Sequence, residues 1–213
     1  MYPSDSLPRL RARLDADARP RPDPADRLAA VLVPVVWGER PSVVFTRRAD
    51  ELPRHAGEIS FPGGLAEPQD AGALATALRE ADEELGIDAR RVRVLGALSP
   101  IHTVVSGILI VPFVGILDGT GRFAPDPGEI AEVLEFPVDV LAAAEATVAW
   151  QLDDHVYEGF AYEVDGHTIW GATARMLHEL LDHLRSEAPW TTNGQPRTSR
   201  ATPSSARSSA TRG

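Results

Sequence analysis

Lysine and cysteine are both absent from the 213 residues, and all 21 basic side chains are arginines. Without cysteine there is no disulfide, no thiolate zinc site and no thiol nucleophile. Without lysine there is no Walker-type phosphate loop and no Schiff base. Phosphate, if this chain binds it, must be met by arginine, backbone amides or a metal ion. Long apolar runs are missing too: none approaches the roughly 18 residues a membrane span needs. The charged, proline-rich N-terminus holds no apolar signal segment. A cytoplasmic protein with no membrane partner is therefore expected. Positive charge is in short supply, the formal net charge being −10. Phosphate neutralisation drives non-specific nucleic-acid binding, so a nucleic-acid partner is not expected. A phosphorylated small molecule would need local positive charge, and bound metal is the obvious source.

The length suits one domain with a sizeable core. Residues 1–26 read as a short amphipathic helix, Leu7 to Leu14, followed by a linker containing the Arg-Pro-Arg-Pro-Asp-Pro run. Residues 27–187 carry the folded pattern. Leu28 to Trp37 is a continuous apolar run, as in a strand buried on both faces, and Ser42 to Thr46 follows as a hairpin partner. Ala71 to Leu85 has Leu74, Leu78, Ala81 and Leu85 at helical spacing, with Gly86 placed for a left-handed end. Val92 to Leu98, Ile108 to Leu117, Glu129 to Phe136, Val148 to Trp150, Tyr157 to Val164 and His167 to Trp170 read as strands. Val138 to Ala144 and Gly171 to Arg185 read as helices. Residues 188–213 are rich in Ser, Thr and Arg and too polar to offset their ordering entropy, so a disordered tail is expected. The pattern implies an α/β fold, an α/β/α sandwich around a mixed sheet.

The chemistry concentrates in Arg79-Glu80-Ala81-Asp82-Glu83-Glu84-Leu85-Gly86-Ile87. Glu80, Glu83 and Glu84 fall on one helix face, opposite the apolar stripe. Like charges so placed repel by a few tenths of a kcal/mol per pair, roughly. A solvated acidic face is one explanation. A hard divalent cation such as Mg²⁺ or Mn²⁺, which prefers carboxylate oxygens, is the other. Just upstream, Phe61-Pro62-Gly63-Gly64 allows backbone to approach a ligand closely.

These residues resemble the Nudix box, which ends in Arg-Glu-apolar-x-Glu-Glu-x-Gly-apolar after an earlier Gly and Glu. Gly64 and Arg79 through Ile87 match its two ends. The interval between them is one residue longer than usual, and Asp70 or Ala71 stands where the early Glu would be. Asp70 is the natural substitute at that structural position. A second stretch resembles the coenzyme A pyrophosphatase branch: Phe45-Thr46-Arg47-Arg48-Ala49, then Leu52-Pro53-Arg54-His55-Ala56-Gly57, then the Phe61 to Gly64 turn. The resemblance implies a Nudix fold and hydrolysis of a diphosphate bond in coenzyme A or its thioesters. It implies metal ligands at Glu80, Glu83 and Glu84 and at the Gly64 carbonyl, with Mg²⁺ or Mn²⁺ as cofactor. Arg79 would hold a carboxylate by a bidentate pair. The general base is either a box glutamate or Glu129 or Glu132 on a later segment. Arg47, Arg48 and Arg54, with Gly63 and Gly64, are candidates for the substrate phosphates, since the planar arginine fork grips phosphate oxygens. His55 reads as a structural hydrogen-bonder. ADP-ribose, NADH or an oxidised nucleotide are rival substrates, a non-catalytic binding module is the rival class, and a homodimer is left open. His178 and His183 are five apart, which misses the shared face that zinc ligation on a helix requires. Gly63-Gly64 lacks the third glycine of a dinucleotide fingerprint.

Overall fold

The computed structural model describes residues 6–16, 26–52, 55–103, 107–118, 123–152 and 155–185. The tail expected over 188–213 and Arg54 lie outside them. The strands are β1 (Arg27–Trp37), β2 (Ser42–Arg48), β3 (Ile59–Ser60), β4 (Gly63–Leu65), β5 (Val92–Ala97), β6 (Ile101–Thr103), β7 (Ile108–Asp118), β8 (Ile130–Pro137), β9 (Glu145–Leu152), β10 (His155–Val164) and β11 (His167–Ile169). The α-helices are α1 (Ser6–Arg13), α2 (Ala73–Leu85), α3 (Val138–Ala144) and α4 (Gly171–Arg185).

The centre is a parallel pair. β1 and β7 run side by side in unbroken register from Arg27 against Ile108 to Trp37 against Asp118. Antiparallel strands extend the sheet on both sides. The main path is β3-β2-β1-β7-β5, with β4 added to β1, β6 to β7 and β8 to β2. The other edge of β1 is shared: Ala29 to Val31 takes β4, and Val35 and Val36 take β2. This is a mixed sheet, as the apolar runs imply. Both of its faces are covered. Ala30, Leu32 and Val36 of β1 pack with Ala73, Ala77, Ala81 and Leu85 of α2. Val31, Val33 and Val35 turn the other way and join Leu177, Leu180 and Leu181 of α4. That two-sided burial is why β1 shows no polar alternation.

A second sheet, β11-β10-β9, lies on the α4 side and packs against α4 and α3. Its β10–β11 turn is Asp165-Gly166, with φ 51° and 81°. Two consecutive residues with positive φ suit a two-residue hairpin whose twist matches the strands. Glu145 ties this layer together. It accepts from Tyr162 Oη at 2.8 Å, His178 Nδ1 at 3.1 Å and Arg185 Nη1 at 2.9 Å. His178 also stacks on Phe160, with ring centroids 3.6 Å apart.

Four strands differ from their sequence-based reading. β3, β4 and β6 are two or three residues long and show no period of their own. β9 begins at Glu145, where α3 passes straight into it, rather than at Val148. The helix over Leu7 to Leu14 is present as α1, and it is fastened to the body. Leu10 is fully buried and Leu14 nearly so, in the same cluster as Leu180 and Leu184. Asp15 exchanges backbone hydrogen bonds of 3.0 and 2.8 Å with Ala97. Gly96 makes that crossing possible, since a Cβ there would lie 2.7 Å from Leu14 Cβ and 2.9 Å from Asp15 O.

If α1 is part of the core, Leu10→Ala should cost about 2–4 kcal/mol, as core leucine truncations do. Urea denaturation of the purified variant measures it. A loss below about 0.5 kcal/mol, the usual size of a surface change, would show that α1 is a dispensable appendage.

Candidate active site

The site is built where α2 lies across β4. Phe61 anchors the approach, 2% exposed and stacked on Phe45 with centroids 4.8 Å apart. Pro62 accepts from Leu32 N–H at 2.9 Å, and Gly63 and Gly64 then pair with Val31 and Ala30. Gly63 is required by contact with backbone, and Gly64 leaves room for the Glu80 carboxylate where it stands. A Cβ at Gly63 would fall 2.4 Å from Ala30 O, and one at Gly64 would fall 2.4 Å from Glu80 Oε1. The β4 backbone therefore rests directly on the Glu80 carboxylate, and Gly63 N–H donates to Glu84 Oε2 at 3.3 Å.

Arg79 fixes the helix against this backbone. Its Nε and Nη2 donate to the two oxygens of Asp70, both at 3.1 Å. Nη2 also donates to Leu65 O at 3.2 Å, and Nη1 reaches Glu80 Oε1 at 3.0 Å and Glu83 Oε2 at 2.9 Å. Asp70 is 5% exposed and takes two more donors, Glu67 N–H and Thr76 Oγ1, both at 2.9 Å. Hydrogen bonds from Arg79 hold its carboxyl well below the usual range. The carboxylate that Arg79 grips in a fork is thus Asp70.

The C-terminus of α2 brings in a second segment. Gly86, with φ 65°, donates to Asp82 O at 2.8 Å, the 5→1 bond of a left-handed helix end, and Ile87 N–H reaches Ala81 O at 3.2 Å. The next carbonyls, Glu84 and Leu85, accept from Asp126 and Ala124 N–H at 3.0 and 2.8 Å. Asp126 Oδ1 then accepts from Gly128 N–H at 2.8 Å, and Glu129 O accepts from Ala49 N–H at 2.8 Å. The loop carries Glu129 to within electrostatic reach of Glu80 and Glu84. Asp126-Pro127-Gly128 was the available turn signal for this placement.

Strand alternation separates the other candidates. Arg48 faces the carboxylates, where its charge acts on Glu84, and its Nε is buried without a hydrogen-bond partner. Arg47 points to the opposite face, donating to Asp50 at 2.8 Å and lying 3.6 Å from Glu132. Glu132 lies with Arg47, away from α2. His55 pairs with Glu58 at 2.8 Å, and His178 and His183 lie beside Glu145 and Glu179.

The donor set suits a hard cation. Glu84 is 5% exposed, and burial, with Glu80 and Glu129 nearby, raises its carboxyl to about 7. Burial raises Glu80 too. Buried carboxylates whose charge is disfavoured are where a divalent ion gains most. Glu83 is 60% exposed and turned to Arg79, and among the described residues no three acidic or histidine side chains converge on one point. Mg²⁺ is commonly held by one or two carboxylates plus water, which Glu80 and Glu84 can supply.

The NUDIX domain family model matches residues 26–160. A protein of Photorhabdus laumondii described as uncharacterized Nudix hydrolase NudL is 37% identical over 165 residues, 75% of this chain and 86% of that one. Its counterpart in Pectobacterium atrosepticum is 37% identical over 184 residues, 83% and 92% of the two chains. This chain belongs to the Nudix hydrolase family. A solved MutT/nudix family protein of Enterococcus faecalis aligns over 86% of this chain and 73% of its own, at 14% identity and a TM-score of 0.48, too loose a likeness to weigh. In this Nudix protein the box is the turn, helix and left-handed glycine end just described. No helix among the described residues is long and apolar enough to cross a membrane.

Two outcomes follow for the Nudix site. Gly64→Ala should keep the fold by circular dichroism and lower metal affinity or turnover by about 100-fold, the cost of roughly 1 Å of misplacement; wild-type behaviour would mean Glu80 is not held by that backbone. The second is a pH effect in EDTA. Glu84 titrates near 4.5 when unfolded and about 7 when folded, so its contribution is full below about pH 4.5 and lost as pH rises through about 7. Asp70 works oppositely and is lost only in acid below its ordinary 3.8. The melting temperature of the metal-free protein should therefore fall between pH 4.5 and 7, and Glu84→Gln should remove most of that slope. An unchanged slope in the variant would assign the effect elsewhere.

Proposed function

We propose that this Nudix hydrolase cleaves the diphosphate bond of coenzyme A or its thioesters, giving 3′,5′-ADP and 4′-phosphopantetheine or its acyl form. The observation that carries the chemistry is that Glu80 lies against the Gly64 backbone and Glu84 accepts from Gly63 N–H, with Glu129 within electrostatic reach of both. Bound Mg²⁺ or Mn²⁺ would supply charge neutralisation and a more acidic water. Glu80 and Glu84 would hold it, with the Gly64 carbonyl and, by resemblance to the box, Glu83. Glu129 is the better placed of the two later glutamates to accept the proton of the attacking water, since Glu132 lies across the sheet. Arg79 acts through the carboxylates it positions. Of Arg47 and Arg48, Arg48 is the one that acts on the cluster, and it would meet the substrate phosphates. The branch assignment is supported by the motif running from Phe45 through Arg48 and Gly57 to Gly64.

The test is a panel of coenzyme A, ADP-ribose, NADH and 8-oxo-dGTP, each with Mg²⁺, Mn²⁺ or EDTA, with products resolved by chromatography and mass. Wild-type protein should release 3′,5′-ADP from coenzyme A only with metal. Glu83→Gln and Glu84→Gln should each lose about 100-fold or more of that rate. Turnover of ADP-ribose, NADH or 8-oxo-dGTP instead would overturn the substrate and keep the chemistry. Metal binding with no turnover of any of them would favour a binding module.

A further inference from the structure

On the face of β2 opposite the carboxylates lies a cleft of about 560 Å³, lined among others by Arg47, Gly57, Glu132, His167, Thr168 and Trp170. That volume is within the range of small-molecule sites. Trp170 is 55% exposed, the one large hydrophobic side chain left exposed among the described residues. The backbone that carries it is well anchored. Ile169 before it is fully buried, Gly171 after it turns into α4 with φ 63°, and Trp170 O accepts from Ala174 N–H at 3.3 Å. The Asp165-Gly166 turn holds His167 and Thr168 beside it. The polar wall is equally defined. Glu132 lies 3.6 Å from Arg47 Nε and 4.0 Å from His167 Nε2, and a carboxylate so paired, with about four lone-pair sites, keeps acceptor capacity for a further donor.

The cleft and the carboxylates flank the same end of β2. Arg47 lines one and Arg48 faces the other. Arg48 is held there by backbone bonds, Gly57 N–H donating to Arg48 O at 3.2 Å and Arg48 N–H to Glu58 O at 3.0 Å. A molecule whose diphosphate lay at Glu80 and Glu84 could pass this end of β2 and place one end in the cleft.

We infer that the cleft is the subsite for the purine base of the substrate, with Trp170 as its stacking platform and Glu132 accepting from the exocyclic amino group. A flat exposed indole matches a planar base better than a flexible chain, and a carboxylate is the natural acceptor for an amino edge. Placing the base of the cleaved molecule there rests on the diphosphatase reading, whereas base binding itself does not.

The experiment uses the full chain with Trp170→Ala, Trp170→Phe and Glu132→Gln. Adenosine and ribose 5-phosphate are titrated in EDTA, with binding followed by tryptophan fluorescence and calorimetry. Kinetics are then run on whichever substrate the panel identifies. Adenosine should bind, ribose 5-phosphate should not, and Trp170→Ala should weaken adenosine and raise KM about tenfold while kcat stays within about twofold. Trp170→Phe should recover most of the binding, and Glu132→Gln should weaken adenosine more than inosine, which lacks the amino group. Trp170→Ala behaving as wild type on a substrate that is turned over would sink the subsite and leave the diphosphatase standing. Ribose 5-phosphate binding as well as adenosine would also sink it. Adenosine binding lost in Trp170→Ala, in a protein that hydrolyses nothing in the panel, would uphold base binding and sink the diphosphatase.

Discussion

Arg79 donates a two-pronged pair of hydrogen bonds to Asp70 and from that fixed point reaches Leu65 O, Glu80 and Glu83. One guanidinium thereby ties together three pieces of chain: the strand carrying Gly64, the loop carrying Asp70 and the acidic face of α2. The geometry is possible because Asp70 stays ionised. Its own donors, Thr76 and the Glu67 amide, come from the loop and the first turn of the helix it fixes. An aspartate is shorter than a glutamate by one methylene, and the interval from Gly64 to Arg79 is one residue longer than the usual box. The two departures occur in the same loop, where extra backbone can carry a shorter side chain to the same partner.

Charge is distributed unevenly around that point. Glu83 is compensated by Arg79 and stands in solvent, whereas Glu84 is buried and raised to about 7. Adjacent glutamates thus meet very different dielectric surroundings, and it is the buried one, with Glu80, whose charge burial disfavours. Arg48, with its buried and unpartnered Nε, gives the cluster a cationic neighbour facing the region where an anionic substrate would enter.

Much of this was legible in the residues. The helix after Asp70, its glycine end, the two-sided burial of β1 and the closing helix at Gly171 all follow from period and capping. What escaped is what depends on partners distant in sequence. Gly63-Gly64-Leu65 has no strand pattern and becomes β4 only because β1 offers an edge. Glu129 and Glu132 look equivalent on paper, yet the register of β8 against β2 sends Glu132 to Arg47 while the Asp126 turn delivers Glu129 to α2. Arg47 and Arg48 part for the same reason, since consecutive strand residues face opposite ways. Which way Trp170 faces is not written in the sequence, because only the burial of Ile169 and the turn at Gly171 show it.

The parallel pairing of β1 with β7 has a consequence for how the chain comes into being. Arg27 waits for Ile108, roughly eighty residues later, and contacts of such span are slow to close because loop entropy must be spent first. During synthesis the apolar run from Leu28 to Trp37 leaves the ribosome with one edge unpartnered, and it stays so until Asp118 has emerged. Leu10 waits longer still, since the residues it packs with include Leu180 and Leu184 of the last helix. α1, made before the strands, is thus seated after them, and the newborn chain spends that interval with its most apolar strand open to neighbours.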